Sequence, residues 1–176
     1  MTNQNHPQEA VAADVGKFAG ADAPSDNAHR WIEIYDQMAL GADARRAWDA
    51  FKTFGSIDGW HPATLNCRLI LGREGVAGAV REFDVQGGGQ VMSELLNYDE
   101  AGRHFRYRIL KTNLPLYSYV GEMWVTENAA GGCTVHWKGA FKRPLGSPAD
   151  QDGPTRALVQ HVFTTGLEGI KVKVAS

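Results

Sequence analysis

Leu40–Pro62, LGADARRAWDAFKTFGSIDGWHP, reads as the end of a strand, one amphipathic helix, a second short helical turn and an aromatic lid. Ala44, Ala47, Trp48, Phe51 and Phe54 recur at spacings of three and four, one face of a helix. Asp43 stands where an N-cap belongs, its carboxylate able to accept an orphan backbone N–H. Gly55 marks the stop. Ser56 or Asp58 can then cap a very short helix, which Pro62 ends. Trp48, Phe51 and Phe54 are the large apolar groups of a core. Trp60 and His61 differ, because they sit at a turn where a sheet must begin.

Upstream, His29–Leu40 carries Trp31, Ile32, Ile34, Tyr35 and Met38 and predicts a first strand. Residues 1–28 are polar with few large apolar groups, so a tail is expected there, followed by one domain over 29–176. A helix at Gln8–Phe18 would have little to dock it. Downstream, Leu65–Leu71, Ala79–Val85, Gln90–Tyr98, His104–Lys111, Leu116–Glu127 and Cys133–Lys142 read as strands separated by short Gly- and Asp-rich turns. Short turns argue for an antiparallel meander, and a twisted sheet of this size curls. Gly87-Gly88-Gly89 joins two antiparallel strands with no helix after it, so it is a hairpin turn rather than a phosphate loop. Pro154–Ile170 closes the chain as a long amphipathic helix with two apolar stripes, Leu158, Val162, Thr165 and Gly169 beside Val159, Phe163, Leu167 and Ile170. Gly166 and Gly169 weaken or bend it.

The fold class is therefore α+β: a curved antiparallel sheet of seven strands around a long C-terminal helix, with two short helices after strand 1. A helix laid across a half-barrel leaves a gap, and such gaps hold small molecules.

Composition narrows the partners. In 176 residues, 43% are hydrophobic and 22% charged, and the formal net charge of −2 gives no electrostatic case for nucleic acid. No apolar run approaches the roughly 20 residues of a membrane span. The N-terminus lacks a basic start followed by an apolar block, so a cytoplasmic location with reduced Cys67 and Cys133 is expected. No His-x-x-x-His or Cys-x-x-Cys spacing occurs, so neither metal nor cofactor is expected. No Gly-x-Ser-x-Gly elbow is present.

An ordered set of motifs carries a resemblance over about residues 30–172: Ala47-Trp48 leading into Phe54-Gly55-Ser56-Ile57-Asp58-Gly59-Trp60-His61-Pro62, then Gly78-Ala79-Val80-Arg81, Glu94 to Asp99, Phe105 to Ile109, Leu114-Pro115, Val135-His136-Trp137 and Val162 to Leu167. The chain resembles the START/Bet v 1-like helix-grip superfamily and, within it, the bacterial polyketide cyclase/dehydratase-like proteins known as SRPBCC. The resemblance implies a hydrophobic cavity between sheet and helix. Some relatives cyclise or dehydrate polyketides, but fold does not fix function.

Strand parity nominates the lining. Within each strand, Ala79, Arg81, Phe83 and Val85 share a face, as do Gln90, Met92, Glu94, Leu96 and Tyr98, and Phe105, Tyr107 and Ile109, the last set inward; Tyr117, Tyr119, Gly121, Met123 and Val125 make the inward set of the sixth strand. Arg81 and Glu94, if both inward, should pair, either as an interior ion pair that fixes the curl or as a working Arg and proton acceptor; the remaining alternative is that both face solvent. Trp60, Phe83, Tyr119, Trp137, Phe141, Leu158 and Val162 are the expected ligand contacts. Two functions follow. One is binding of a small hydrophobic molecule of lipid, isoprenoid or aromatic polyketide type. The other is a cofactor-independent cyclase or dehydratase, with Glu94 or His61 as base and Arg81 and Tyr107 stabilising an enolate oxygen. His61 also reads as a turn residue with a local hydrogen bond, and His161 as an edge residue of the last helix. Trp124 faces outward by parity, which asks for a bulge, a covering tail or a homodimer contact.

Overall fold

The computed structural model describes residues 30–129 and 131–176. The expected tail at 1–28, with its helix at 8–18, lies outside the described residues. The elements are β1 (Ile32–Leu40), α1 (Ala44–Phe51), a 3-10 turn (Ile57–Gly59), β2 (Thr64–Leu71), β3 (Val80–Val85), β4 (Gly89–Asp99), β5 (His104–Thr112), β6 (Tyr117–Glu127), β7 (Cys133–Lys142), a 3-10 turn (Ala149–Gln151) and α2 (Asp152–Ala175). The second short helix expected after strand 1 is thus a single 3-10 turn.

The seven strands form one antiparallel sheet in the order β1-β7-β6-β5-β4-β3-β2. From β2 to β7 each strand pairs with its sequence neighbour, and β1 closes onto β7. The β3–β4 hairpin turns through Gly87 and Gly88 at φ +90° and +97°, a left-handed backbone that a side chain resists. Asp43 caps α1 as its position predicts, its Oδ1 accepting the Arg46 N–H at 2.8 Å.

One face of the sheet and one stripe of α2 make the core. On β7, Cys133, Val135, Trp137, Gly139 and Phe141 are buried in strict alternation. From α2, Val159, Phe163, Leu167 and Ile170 press down on them. Each such side chain contributes on the order of 1.5–3 kcal/mol by leaving water. Trp48 and Phe51 of α1 close one end of the core, with Phe105 and Tyr98 as ring partners.

Two glycines let α2 lie this close. A methyl on Gly169 would stand 2.0 Å from the Trp60 carbonyl oxygen, and one on Gly166 2.6 Å from the Trp137 ring and 2.7 Å from the His61 ring. Their role is close approach to the 60–62 turn rather than bending.

Parity fails where strands bulge. Between Leu95 and Asn97 the β4–β5 register shifts, so Val91, Ser93 and Leu95 are buried ahead of the bulge while Tyr98, beyond it, packs on Trp48. Glu94, which alternates with the buried set, faces outward, and Ser93 rather than Glu94 stands across from Arg81. A second shift lies between Tyr117 and Val120, with Ser118 at φ +53°; it turns Tyr117 out to solvent while Tyr119 stays buried. Trp124 does face outward. It stacks on His136 at 4.8 Å and on Tyr35 at 6.2 Å, so neighbouring rings, not a bulge, cover it.

Candidate functional site

Between the sheet and α2 lies a cavity of about 80 Å³, lined mostly by apolar side chains. Val85 and Phe83 of β3, Val91 of β4, Ile109 of β5, Leu114 and Leu116 of the β5–β6 loop, and Leu158, Val159, Val162 and Phe163 of α2 make the apolar wall. Arg81, Ser93, Tyr107, Tyr119, Trp137, His61 and Thr64 add polar atoms to it. Leu158 is 37% exposed and Val162, Leu114 and Leu116 half-buried, so the cavity meets solvent on their side. The polar group, by contrast, is buried. A wider open groove, about 490 Å³, lies among outward residues such as Arg68, Glu82, Asp84, Gln90 and Lys111. Arg68 pairs there with Glu82 and Asn66 with Asp84, and the groove also carries Phe83, Val91 and Met92, open to solvent rather than enclosed between sheet and helix.

Arg81 is the centre of the polar group and only 3% exposed. Its Nε donates to Ser93 Oγ at 3.0 Å and its Nη1 to the Phe54 carbonyl at 2.7 Å. The guanidinium lies 4.1 Å from the Phe54 ring centroid, 5.2 Å from Phe83 and 5.5 Å from Tyr107. These ring faces offset part of the cost of burying a cation. Burial pulls its pKa below the ordinary value, but a guanidinium keeps its proton at any physiological pH.

Beside it runs a hydrogen-bonded chain. Trp137 Nε1 donates to Tyr107 Oη at 3.0 Å, and the Tyr107 and Tyr119 hydroxyls are 3.1 Å apart. Burial raises the pKa of both tyrosines, so both are donors and neither is a base at neutral pH. The floor is cut to fit: a Cβ on Gly121 would meet the Tyr107 ring at 2.5 Å, and one on Gly139 the Tyr119 hydroxyl at 2.8 Å and Phe163 at 2.9 Å. Trp137 stacks on Phe163 at 4.3 Å and 11°, which joins the sheet floor to the helix roof.

His61 faces this cavity but is spoken for. Its Nδ1 accepts the Ala63 N–H at 3.2 Å, and its Nε2 lies 3.0 Å from the Val162 carbonyl, to which it must donate. Burial lowers its pKa, so it is neutral, with no lone pair left for a substrate proton.

Of the residues expected from sequence, Arg81, Phe83, Tyr107, Tyr119, Trp137, Leu158, Val162 and His61 line the cavity. Glu94 does not. It accepts from Arg108 Nε at 2.6 Å on the outer face with Met92, because Ser93, one residue earlier, is the one that stands across the ladder from Arg81. Trp60 and Phe141 stand one layer behind the wall, Trp60 edge-on to Trp137 and Phe141 stacked on Tyr119. Sequence reasoning missed Ser93 and Phe163. Ser93 sits on the buried face once Val91 and Leu95 set the parity, and Phe163 lies in the second helical stripe. Among the described residues no cluster of three His, Cys, Asp or Glu side chains could hold a metal ion, and no helix is long and apolar enough to cross a membrane.

Solved structures share this architecture. The Zhui aromatase/cyclase from Streptomyces sp. R1128 superposes with a TM-score of 0.71 at 16% identity, over 83% of this chain and 94% of that one. A Thermobifida fusca protein gives 0.71 at 22% identity, over 81% and 93%. XoxI from Bacillus cereus gives 0.70 at 19% identity, over 82% and 96%. At such identities the likeness is one of fold. No curated protein matches the sequence. The family model for polyketide cyclase/dehydrase and lipid transport does match, over residues 32–175, which takes in every strand, both helices and the whole lining of the cavity. With β1 at one end of that match and α2 at the other, the chain belongs to the polyketide cyclase/dehydrase and lipid transport family.

Proposed function

We propose that the protein binds a small, mostly apolar molecule between sheet and helix, with an oxygen of that molecule turned to Arg81, and releases it unchanged. The observation that carries this is an apolar wall that holds a single buried group of donors, Arg81, Ser93, Tyr107 and Tyr119. Apolar surface supplies affinity, and a few placed polar groups supply orientation. At about 80 Å³ the cavity suits a short ligand. A lipid or polyketide needs Leu114, Leu116, Leu158 and Val162 to part, and these half-exposed side chains are the ones free to do so.

The cyclase or dehydratase alternative retains half of its machinery. Arg81 and a tyrosine hydroxyl would stabilise an enolate oxygen. The other half lacks a candidate: among the described residues no carboxylate lines the cavity, and both nitrogens of His61 are engaged. Binding without turnover is therefore the better-supported reading.

The test is calorimetric titration and thermal unfolding with fatty acids, isoprenoids and aromatic polyketides, each re-examined for chemical change afterwards. Binding with recovery of the intact ligand is expected. Absence of binding across the whole panel would overturn the proposal, and a converted product would favour the enzyme.

A further inference from the structure

The donors around Arg81 outnumber what an apolar ligand requires. A guanidinium has five N–H groups. Here one goes to Ser93 and one to the Phe54 carbonyl, and the others have no partner among the described residues. Ser93 accepts from Arg81, so its own hydroxyl proton is unspent. The Tyr107–Tyr119 pair adds one more. Whichever hydroxyl donates to the other, one phenolic proton is left over, because Tyr107 Oη already accepts from Trp137. Acceptors do not balance this. Glu74 acts on Arg81 through space, but its two oxygens are taken by the Phe54 and Gly55 N–H groups. The expected partner, Glu94, is bound to Arg108 outside. A buried cation with spare donors, and with no carboxylate hydrogen-bonded to it, is costly until an anion completes it.

Resting on the proposal that the cavity binds an apolar molecule, we infer that this molecule is a monocarboxylate: an apolar acid whose carboxylate lies against Arg81 and takes protons from Ser93 and the tyrosine pair. A carboxylate matches the planar fork of a guanidinium with two parallel hydrogen bonds. One cation calls for one negative charge; a phosphate dianion would leave net charge among Phe83, Ile109 and Val162. A neutral ketone, amide or alcohol would satisfy a donor without bringing a charge into contact with the guanidinium.

The experiment compares acids with their neutral twins. Hexanoate, octanoate, benzoate and phenylacetate are titrated at pH 7 into the full chain by calorimetry, alongside hexanamide, octanamide, benzamide and phenylacetamide. Each acid is expected to bind at least tenfold more tightly than its amide. Arg81→Gln is expected to erase that preference. Should this variant not fold, the Arg81 Nε–H resonance of the intact protein serves instead, moving with the acids and not with the amides. Amides binding as well as acids would overturn the inference and leave the binding proposal standing. Acid preference that survives in a folded Arg81→Gln protein, or an unmoved Arg81 resonance, would also overturn it. Failure of both series, together with the lipids and polyketides above, would remove the binding proposal itself.

Discussion

At the scale of single residues, the site is shaped by glycines and locked by His61. Gly169 meets backbone, the Trp60 carbonyl at 2.0 Å, which cannot swing aside. Gly169→Ala is expected to cost about 3 kcal/mol in a urea titration, as overpacking does. Gly166→Ala meets rings that can shift and is expected to cost about 1–2 kcal/mol. His61 adds a pH dependence. Its pKa is lower folded than unfolded, chiefly through burial, so its contribution is complete above the unfolded value of about 6.5. It declines as pH falls below that value, because the unfolded chain takes up the proton more readily. Urea midpoints are expected to drop between pH 7.5 and pH 5.5. His61→Gln, which can still accept from Ala63 and donate to Val162, is expected to flatten much of that slope. His136, also lowered by burial, leaves a remainder.

At the scale of elements, the sheet carries two faces with opposite work, and the bulges decide which residue serves which. Glu94 belongs to the outer face, in a partly exposed ion pair with Arg108. Glu94→Gln is expected to leave ligand affinity unchanged and to shift stability by less than about 1 kcal/mol, as surface ion pairs do. Thermal unfolding and calorimetry on the one variant check both. Glu94 also shows where sequence stops being legible. The strands were readable because Gly and Asp turns punctuate them, and β7 was readable side chain by side chain because its alternation is unbroken. β4 writes no such signal: both of its faces carry large apolar groups, Met92 and Leu96 on one and Val91 and Leu95 on the other, and only the pairing with β3 shows that Val91, Ser93 and Leu95 are the buried set. The same holds for Tyr117 and Tyr119, two residues apart in one strand and on opposite sides of a shift. In α2 the apolar stripes were legible. The reason for Gly166 and Gly169 was not, since it lies in a turn about a hundred residues upstream.

At the scale of the whole molecule, ligand binding and folding are one equilibrium. The cavity is walled by β3 to β7 together with α2, so a ligand that fills it holds sheet and helix to each other. A bound ligand at a hundred times its Kd is expected to add about 2.7 kcal/mol to stability. For a chain of this length that corresponds to a rise in Tm of roughly 5–10 °C, readable by differential scanning calorimetry. Leu158, exposed at the solvent side, is expected to set the pace instead: Leu158→Ala should speed ligand entry and exit in stopped-flow traces while changing affinity by less than about tenfold.

The stacking of Trp137 on Phe163 has an optical consequence. Of the five tryptophans, Trp48 and Trp60 are sealed in the core, Trp31 is exposed and Trp124 lies flat on His136 outside. Trp137 alone among them lines the cavity, with its indole N–H joined to the Tyr107 hydroxyl. A guest drawing on that hydroxyl changes the polarity its indole senses, so the emission of this one fluorophore reports occupancy. Without any label, the chain carries its own gauge of whether the cavity is full, and Trp137→Phe would silence it.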